Sequence, residues 1–373
     1  MSKPPRKIRV DFRKNRNQQA RRNDLTRDHQ SESLDLDGVK KDERVSGKGS
    51  QTRRRTIMGD VVNGDQVVLA VDESVCKPGR VLAAIGTTQC TVQAEDGKIY
   101  QCTVRRVLRT LARDARNVVV TGDKVLFQPQ DETQGVIERV EPRQGILSRG
   151  HQHKQHILVA NITQVLIVSS ASDPPLKPAL IDRFLVTAGK GQVRGLVCIN
   201  KCDLVDLAEL QPILGLYRRL GYPIVAASTR TGAGIEQLRT LLAGEATVIS
   251  GQSGVGKSSL LNAIQPGLKL AIGDVSETSR KGMHTTRVAR LLQLDAGGWV
   301  VDTPGIRQME LWDVHPGEVE LHFVEFRPFV MLCRYPNCLH IEEEGCAVKA
   351  AVRQDLISLT RYESYLRIVS GDD

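Results

Sequence analysis

A glycine-rich stretch in the second half of the chain, GQSGVGKSS at residues 251–259, constrains the fold more than any other feature. It matches the phosphate-loop pattern G-x-x-x-x-G-K-[ST] at every fixed position. The apolar, β-branched residues 246–250 before it predict a buried strand, and the residues after it predict a helix with one apolar face. Because strand, glycine loop and helix follow one another, the sequence predicts an α/β fold with a P-loop.

The phosphate loop offers three kinds of group to a nucleotide. Its glycines let backbone amides approach phosphate oxygens without obstruction by a Cβ atom. Lys257 is expected to reach the β- and γ-phosphates and to act in catalysis there, and the Ser258 hydroxyl is expected to ligate Mg²⁺. The predicted phosphate-binding residues are Gly251, Gln252, Ser253, Gly254, Val255, Gly256, Lys257, Ser258 and Ser259.

A second motif, NKCD at residues 200–203, identifies the base. It follows the apolar residues 196–199, which predicts a position at the C-terminal end of a strand. The Asp203 carboxylate can accept from N1–H and N2–H₂ of guanine, a pair of donors that adenine lacks. The loop at residues 228–234 stands where further base contacts are expected. The predicted base-binding residues are Asn200, Lys201, Cys202, Asp203 and Ser228.

Two further segments predict contacts to magnesium and to the γ-phosphate. DTPG, residues 302–305, follows the strand-like residues 299–301. GMHTT, residues 282–286, lies between the phosphate loop and DTPG. Carboxylates, through water, and threonine hydroxyls hold Mg²⁺ in such sites. The predicted Mg²⁺ ligands are Ser258, Asp302 and one of Thr285 and Thr286, and Gly305 is predicted to contact the γ-phosphate through its amide.

The order of these motifs is unusual. In the common GTPase arrangement the phosphate loop comes first and N-K-x-D last, whereas here N-K-x-D precedes the phosphate loop. All of the motifs belong at the carboxyl edge of one parallel sheet. If the termini of a common GTPase are joined and its chain is opened between D-x-x-G and N-K-x-D, the motifs keep their positions at that edge of the sheet. The sequence therefore predicts a circularly permuted GTPase domain over residues 150–314.

Two helices of this domain have recognisable patterns. Residues 180–188 predict a helix with Asp182 and Arg183 on its polar side. Residues 206–220 predict another helix, with Asp206 as its N-cap.

The N-terminal segment is strongly basic. Residues 1–55 hold 17 Lys/Arg and 8 Asp/Glu, so they account for the whole net charge of +9. Their polar composition predicts a disordered basic tail over residues 1–60, either an arm that binds nucleic-acid phosphates or a solubilising tail. No apolar run of the chain reaches membrane length and its start is not a secretory signal, which predicts a cytoplasmic protein.

Residues 65–147 predict an OB-like β-barrel. An Asp-Gly pair at residues 96–97 between two strand-like runs predicts a hairpin, and five short strands in so few residues are typical of a small barrel. The predicted strands are residues 91–94, 99–102, 117–120, 124–127 and 135–140. Five arginines are candidates for a nucleic-acid face, the alternative being a barrel that serves only as a spacer: Arg105, Arg106, Arg109, Arg113 and Arg116.

Residues 315–373 carry the metal-binding pattern C-x₄-C-x-H-x₅-C. Three thiolates and one imidazole form a closed tetrahedral zinc site with no position for catalytic water. The predicted ligands of one structural Zn²⁺ are Cys333, Cys338, His340 and Cys346. The other cysteines lack ligand spacing, and residues 349–368 predict one or two terminal helices, so this segment is expected to be mainly helical.

The chain is therefore predicted to be multidomain, and its motifs, in this order, resemble the RsgA (YjeQ) family of small-ribosomal-subunit assembly GTPases over residues 65–373. The resemblance implies a monomeric GTPase that binds the 30S subunit and its 16S rRNA late in maturation. It also implies stimulation by the subunit and release after hydrolysis. Thr229 departs from the alanine that is usual in the base-contacting loop, and the long N-terminal tail exceeds the family core.

The sequence does not identify directly which residue orients the attacking water. Ile306, not glutamine, follows DTPG, so a water-orienting side chain is missing at the usual place. His284 is the nearest candidate, because a neutral imidazole can accept a hydrogen bond from water, and the alternative is a histidine that only shapes the loop. The missing glutamine also fits an RNA-binding adaptor that uses nucleotide as a structural ligand, whereas NKCD argues against an ATP-dependent enzyme.

Overall fold

The computed structural model describes most of the chain beyond the N-terminal tail. The described residues are 6–11, 54–62, 66–86, 88–111, 118–151, 154–268, 289–302 and 316–371.

The basic tail differs from its predicted disorder at both of its ends. Strand β1 (Arg6–Asp11) pairs antiparallel with β2 (Arg54–Val62), which pairs in turn with β3 (Gln66–Leu69). Ile8 lies opposite Ile57 in this register. The apolar strand β3 gives β2 a partner, and β2 then offers its other edge to β1, a long-range pairing that composition alone does not reveal. Residues 12–53 lie outside the described residues.

The predicted OB-like barrel is confirmed. Its five strands follow the order β4-β5-β6-β8-β7, and β7 closes on β4. The hairpin turns at Gly97, whose φ of +83° suits glycine. Val81, Val92 and Phe127 fill the interior. The strands are β4 (Lys77–Ile85), β5 (Gln89–Ala94), β6 (Ile99–Val104), β7 (Lys124–Pro129) and β8 (Gln134–Val140), with helix α1 (Arg106–Leu111) between β6 and β7.

The strand predicted at residues 117–120 is wrong for the residues that the structure describes there. Val118, Val119 and Val120 form no strand, although Val119 and Val120 are buried. Val120 N donates to Asp123 Oδ2 (2.8 Å), and Arg143 donates to both oxygens of the same carboxylate (2.7 and 2.8 Å). This buried carboxylate closes a tight turn just before β7, which leaves no room for an extended segment.

The GTPase sheet is mostly parallel and lies between two layers of helices. A hairpin of β9 (Leu147–His151) and β10 (Lys154–Val159) precedes this sheet. The described strands of the sheet follow the order β13-β12-β11-β14-β16-β15, and among them only β15 is antiparallel to its neighbour. Val165 and Ile167 pack in one core and Leu166 and Val168 in the other, because both faces of β11 are covered. The strands are β11 (Gln164–Ser170), β12 (Arg194–Asn200), β13 (Ile224–Ala226), β14 (Ala246–Ser250), β15 (Arg290–Gln293) and β16 (Trp299–Asp302).

Among the described residues of this domain, the helices that cover the sheet are α2 (Pro178–Lys190), α3 (Leu207–Arg219), α4 (Ile235–Leu242) and α5 (Lys257–Ile264). The predicted cap of α3 is confirmed, since Asp206 Oδ1 accepts from Ala208 N (2.9 Å). The predicted exposure of Asp182 on α2 is wrong. Asp182 is fully buried and accepts from Tyr217 Oη (2.6 Å) and Arg361 Nη1 (2.5 Å), because a helix from the far end of the chain covers it.

The C-terminal segment is helical, as predicted. It contains α6 (Pro316–Val319), α7 (Arg327–Val330), α8 (Ala347–Arg353) and α9 (Leu359–Ser370), and α9 packs against α2 of the GTPase domain. Phe323, Phe326 and Tyr365 form its aromatic core. Across the described residues, no helix combines the length and apolar character needed to span a membrane.

Candidate functional site

The carboxyl ends of the parallel strands meet at one edge of the GTPase sheet. From central strand β11 the chain proceeds to β12 and β13 on one side, and β14 and β16 lie on the other. The switch point between β11 and β14 opens a crevice, which is where ligands bind in open α/β sheets. The described residues of the predicted nucleotide motifs lie at this edge.

The phosphate loop needs its glycines for close packing. Gly251 has φ of +140°, and a Cβ atom there would lie 2.0 Å from the Val168 carbonyl oxygen. Gly256 has φ of +89°, and a Cβ atom there would lie 2.6 Å from Asn200 Nδ2. Lys257 Nζ donates to the carbonyls of Gly251 and Gln252 (both 2.6 Å), which holds the ammonium across the loop. Helix α5 begins at Lys257, so its first amides face the loop.

The base motif is tied to the phosphate loop by a buried hydrogen bond. Asn200 ends β12, is 1% exposed, and donates from Nδ2 to the Val255 carbonyl oxygen (2.8 Å). Cys202 is buried, whereas Asp203 is exposed and free of the core. Lys201 adopts the left-handed conformation with φ of +58°. The Asp203 carboxylate is therefore open to solvent, while the Asn200 side chain is bonded to the phosphate loop.

Ser228 lies in the neighbouring loop after β13. Its Oγ accepts from the amides of Arg230 and Thr231 (both 3.2 Å), so the buried hydroxyl holds this loop in place. Ala227 O accepts from Cys202 N (3.0 Å), which joins the loop to the base motif. Thr229, which stands where alanine is usual in this loop, is exposed.

The magnesium side of the site is described only in part. Asp302 ends β16 beside β14, with Val301 opposite Val248 in register, so its backbone lies next to the strand that leads into the phosphate loop. The Asp302 side chain, His284, Thr285, Thr286 and Gly305 lie outside the described residues. Ser258 lies in the first turn of α5 and carries a hydroxyl oxygen, the donor type that Mg²⁺ prefers.

A loop that the sequence did not single out also reaches the site. Lys201 Nζ donates to the Asp173 carbonyl oxygen (2.6 Å), and Ser170 Oγ donates to the same oxygen (2.8 Å). A Cβ atom on Gly254 would lie 3.7 Å from Pro174 Cδ. The loop after β11 therefore supports both the base motif and the phosphate loop. The signal available was an Asp-Pro pair just after a buried strand, which is typical of a turn and does not identify a function.

The four predicted zinc ligands come together in the C-terminal segment. Their ligand atoms all lie within 4.8 Å of one another. His340 Nδ1 lies 3.6 Å from Cys333 Sγ and 3.4 Å from Cys346 Sγ, and the two sulfurs are 4.0 Å apart. Tetrahedral zinc ligands stand about 3.5–3.8 Å apart for ordinary Zn–S and Zn–N bond lengths. The residues therefore fit a Cys₃His zinc site.

Surrounding residues orient these ligands. His340 Nδ1 faces the sulfurs, so Nε2 carries the proton and donates to Glu320 Oε2 (2.8 Å), the carboxylate–histidine arrangement common at zinc. Tyr362 Oη donates to the His340 carbonyl oxygen (2.7 Å). Burial raises the pKa of the Cys338 thiol to about 12, so its thiolate needs a neighbouring cation.

Solved structures share this architecture. The crystal structure of YjeQ from Thermotoga maritima is 37% identical, covers 80% of this chain and 98% of that chain, and superposes with a TM-score of 0.67. YloQ, described as a circularly permuted GTPase, is 28% identical over 81% of this chain and 98% of its own, with a TM-score of 0.64. The fold and site define a circularly permuted P-loop GTPase with an OB-like barrel and a Cys₃His segment.

Sequence relatives identify the family. Residues 140–312 match the RsgA GTPase family. The chain is 38% identical over 324 residues to the small ribosomal subunit biogenesis GTPase RsgA of Shewanella oneidensis, covering 83% of this chain and 89% of that protein. It is 42% identical over 275 residues to the protein of the same name from Moorella thermoacetica, covering 74% of this chain and 91% of that protein. The chain belongs to the RsgA GTPase family, whose reaction is the hydrolysis of GTP to GDP and phosphate.

Proposed function

We propose that this GTPase acts in the biogenesis of the small ribosomal subunit, binding the 30S subunit through 16S rRNA late in its maturation. In this proposal the subunit stimulates GTP hydrolysis, and hydrolysis releases the protein as a monomer. The observation that carries the ribosomal part of the proposal is the similarity to two small ribosomal subunit biogenesis GTPases. The observation that carries the nucleotide part is the buried hydrogen bond from Asn200 to Val255. That bond joins a guanine-type motif to a phosphate loop, so one ligand can occupy both.

We propose that GTP binds in the crevice between the base motif and the phosphate loop. Asp203 is exposed at its edge and would accept from N1–H and N2–H₂ of guanine. The amides of the phosphate loop and the start of α5 would bind phosphate oxygens. Lys257 would exchange its two carbonyl contacts for the β- and γ-phosphates, a short move because both carbonyls belong to the loop itself.

The proposed metal ligands are all oxygen donors. Ser258, Asp302 and one of Thr285 and Thr286 would hold Mg²⁺, which neutralises charge on the phosphates when bound. Ile306 cannot orient water, so we assign that role to His284, which would accept from the attacking water as a neutral imidazole. The Gly305 amide would contact the γ-phosphate.

The zinc segment is proposed to be structural. A closed set of Cys333, Cys338, His340 and Cys346 leaves no open position, so one Zn²⁺ there would stabilise the fold rather than perform chemistry. The segment packs on the GTPase domain through α9 and α2. It would therefore dock against the subunit as part of the same body as the nucleotide site.

The basic N-terminal tail is proposed to attract rRNA phosphates. Residues 1–55 carry a net charge of +9, while the rest of the chain is neutral. Each phosphate contact made by such a segment steepens the fall of binding with salt, by roughly 0.7–0.9 in the slope of log K against log salt.

Co-sedimentation with purified 30S subunits tests the proposal. We expect the protein to sediment with 30S subunits in the presence of a non-hydrolysable GTP analogue and to remain in the supernatant with GDP. Purified 50S subunits provide the control and are expected to retain none in either state. Equal retention on 30S and 50S subunits, or equal retention with both nucleotides, would contradict the proposed partner and its release.

A further inference from the structure

Strand β15 connects the barrel to the magnesium side of the nucleotide site. Arg290 on β15 lies opposite Asp302 of β16 on one side and opposite Ala83 of barrel strand β4 on the other. These three residues form one row across the sheet. The GTPase sheet and the barrel are therefore continuous, and β15 is the strand that both share.

Side chains from the barrel hold the ends of the β15–β16 hairpin. Thr121 is 2% exposed, and its Oγ1 donates to the carbonyl oxygen of Ala289, the residue just before β15 (2.9 Å). The Arg80 guanidinium lies 5.3 Å from the ring centroid of Trp299, the first residue of β16. Arg80 Nη2 also donates to the Asn161 carbonyl oxygen (2.8 Å), which fixes the guanidinium over the ring.

Apolar packing supports the same junction. Leu82 of the barrel packs against the GTPase core together with Ala289 and Trp299. Both hairpin strands have four residues, and a two-stranded hairpin of that size is at best marginally stable by itself. Strand β16 has β14 as a second neighbour, but the second neighbour of β15 is the barrel.

We propose that Thr121 and Arg80 are positioning residues for GTP hydrolysis, acting through the β15–β16 hairpin on Asp302. Holding the hairpin from the barrel fixes where β16 ends, and hence where the backbone of Asp302 lies beside β14, the strand that leads into the phosphate loop. The inference rests on the proposed role of Asp302 toward Mg²⁺. In this proposal the barrel helps to position a residue of the GTPase site, a role that does not depend on contact with RNA.

The first experiment compares Thr121→Val with Thr121→Ser in the full chain. Valine keeps the shape and removes the donor, whereas serine keeps the donor. For Thr121→Val we expect kcat to fall about 10-fold, a tenth of the loss that a 1 Å misplacement can cause. The Mg²⁺ concentration for half-maximal rate should rise, and KM for GTP should stay unchanged because Thr121 and Ala289 lie outside the base motif and the phosphate loop. Thr121→Ser should restore wild-type values.

The second experiment uses the fluorescence of Trp299 and needs no turnover. The chain has two tryptophans, so Trp312→Phe leaves Trp299 as the sole emitter. In that background we expect Arg80→Met to increase quenching by acrylamide, because the ring loses its cover. Arg80→Lys keeps a cation over the ring and should retain most of the protection. Thr121→Val should increase quenching as well, by releasing the start of β15.

The outcomes separate this inference from the proposed site. Wild-type kcat and Mg²⁺ dependence in Thr121→Val would overturn the positioning role, as would equal losses in Thr121→Val and Thr121→Ser. Unchanged quenching in Arg80→Met would overturn the clamp on Trp299. Asp302→Asn tests the metal assignment alone: if it keeps wild-type Mg²⁺ dependence, the proposed site fails while the quenching results still report the junction.

Discussion

Replacing Arg361 with methionine tests how the C-terminal segment is attached to the GTPase domain. The Arg361 side chain is 1% exposed, and its Nη1 donates to Asp182 Oδ1 (2.5 Å). Its Nε and Nη2 donate to the two oxygens of Glu325 (2.6 and 3.2 Å), and its guanidinium lies 4.3 Å from the ring centroid of Phe323. Burial acts to lower the pKa of Arg361, but the two carboxylates raise it above its usual value, so the group stays charged.

The expected loss of stability is large, because the substitution leaves two carboxylates buried without their cation. Removing one partner of a buried ion pair costs about 3–5 kcal/mol. The lost contact with Phe323 adds roughly 1 kcal/mol. Methionine fills most of the volume, so a cavity contributes little. We expect Arg361→Met to lower the free energy of unfolding of this segment by about 4–6 kcal/mol, a large share of the 5–15 kcal/mol typical of a domain.

This loss is measured by unfolding the protein in urea and monitoring the release of bound zinc with a metallochromic indicator. Zinc release reports the unfolding of the C-terminal segment specifically. The midpoint and slope of the transition give the free energy. Arg367→Met is the matched control, because Arg367 is exposed on the same helix and should change stability by no more than about 0.5 kcal/mol. Adding Asp182→Leu to Arg361→Met should recover part of the loss, since it removes one unpaired carboxylate. Equal midpoints for Arg361→Met and Arg367→Met would refute the reasoning.

Three further predictions concern the base, the metal and acid stability. Asp203→Asn should weaken GTP binding by about 2–5 kcal/mol and favour xanthosine triphosphate, and calorimetry with both nucleotides checks this. Cys333→Ala should lose zinc while retaining guanine-nucleotide binding, and full metal content by atomic absorption would contradict the ligand assignment. Burial lowers the pKa of His322, so its contribution to stability is present above the unfolded value of about 6.5 and is lost as pH falls below it. His322→Gln should flatten that acid limb in urea titrations, and an unchanged pH slope would contradict this assignment.

Local patterns were sufficient for several turns and helix ends. The Asp-Gly turn at residues 96–97 and the Asp206 cap depend on a few neighbouring side chains, so the sequence states them directly. The phosphate loop, the base motif and the zinc cluster were each predictable because their spacing is set by the ligand.

Long-range pairings were not predictable from a single sequence. Asp182 has a helical pattern that favours a solvent-facing position, whereas its hydrogen-bond partners in the core, Tyr217 and Arg361, lie 35 and 179 residues later. Thr121 and Ala289 are separated by 168 residues, and neither has a distinctive motif. The antiparallel pairing of Ile8 with Ile57 likewise joins two ends of a segment whose composition predicts disorder. In each case the deciding partner is remote in the chain.

GTP turnover as a function of 30S concentration tests the central claim most directly. Phosphate release should be slow without subunits, because no glutamine follows DTPG, and should rise and saturate as 30S subunits are added. Lys257→Ala should abolish the rise, and 50S subunits should not produce it. A rate that does not change with 30S concentration would contradict a subunit-stimulated GTPase, and no turnover under any condition would favour an adaptor that holds nucleotide only as a structural ligand.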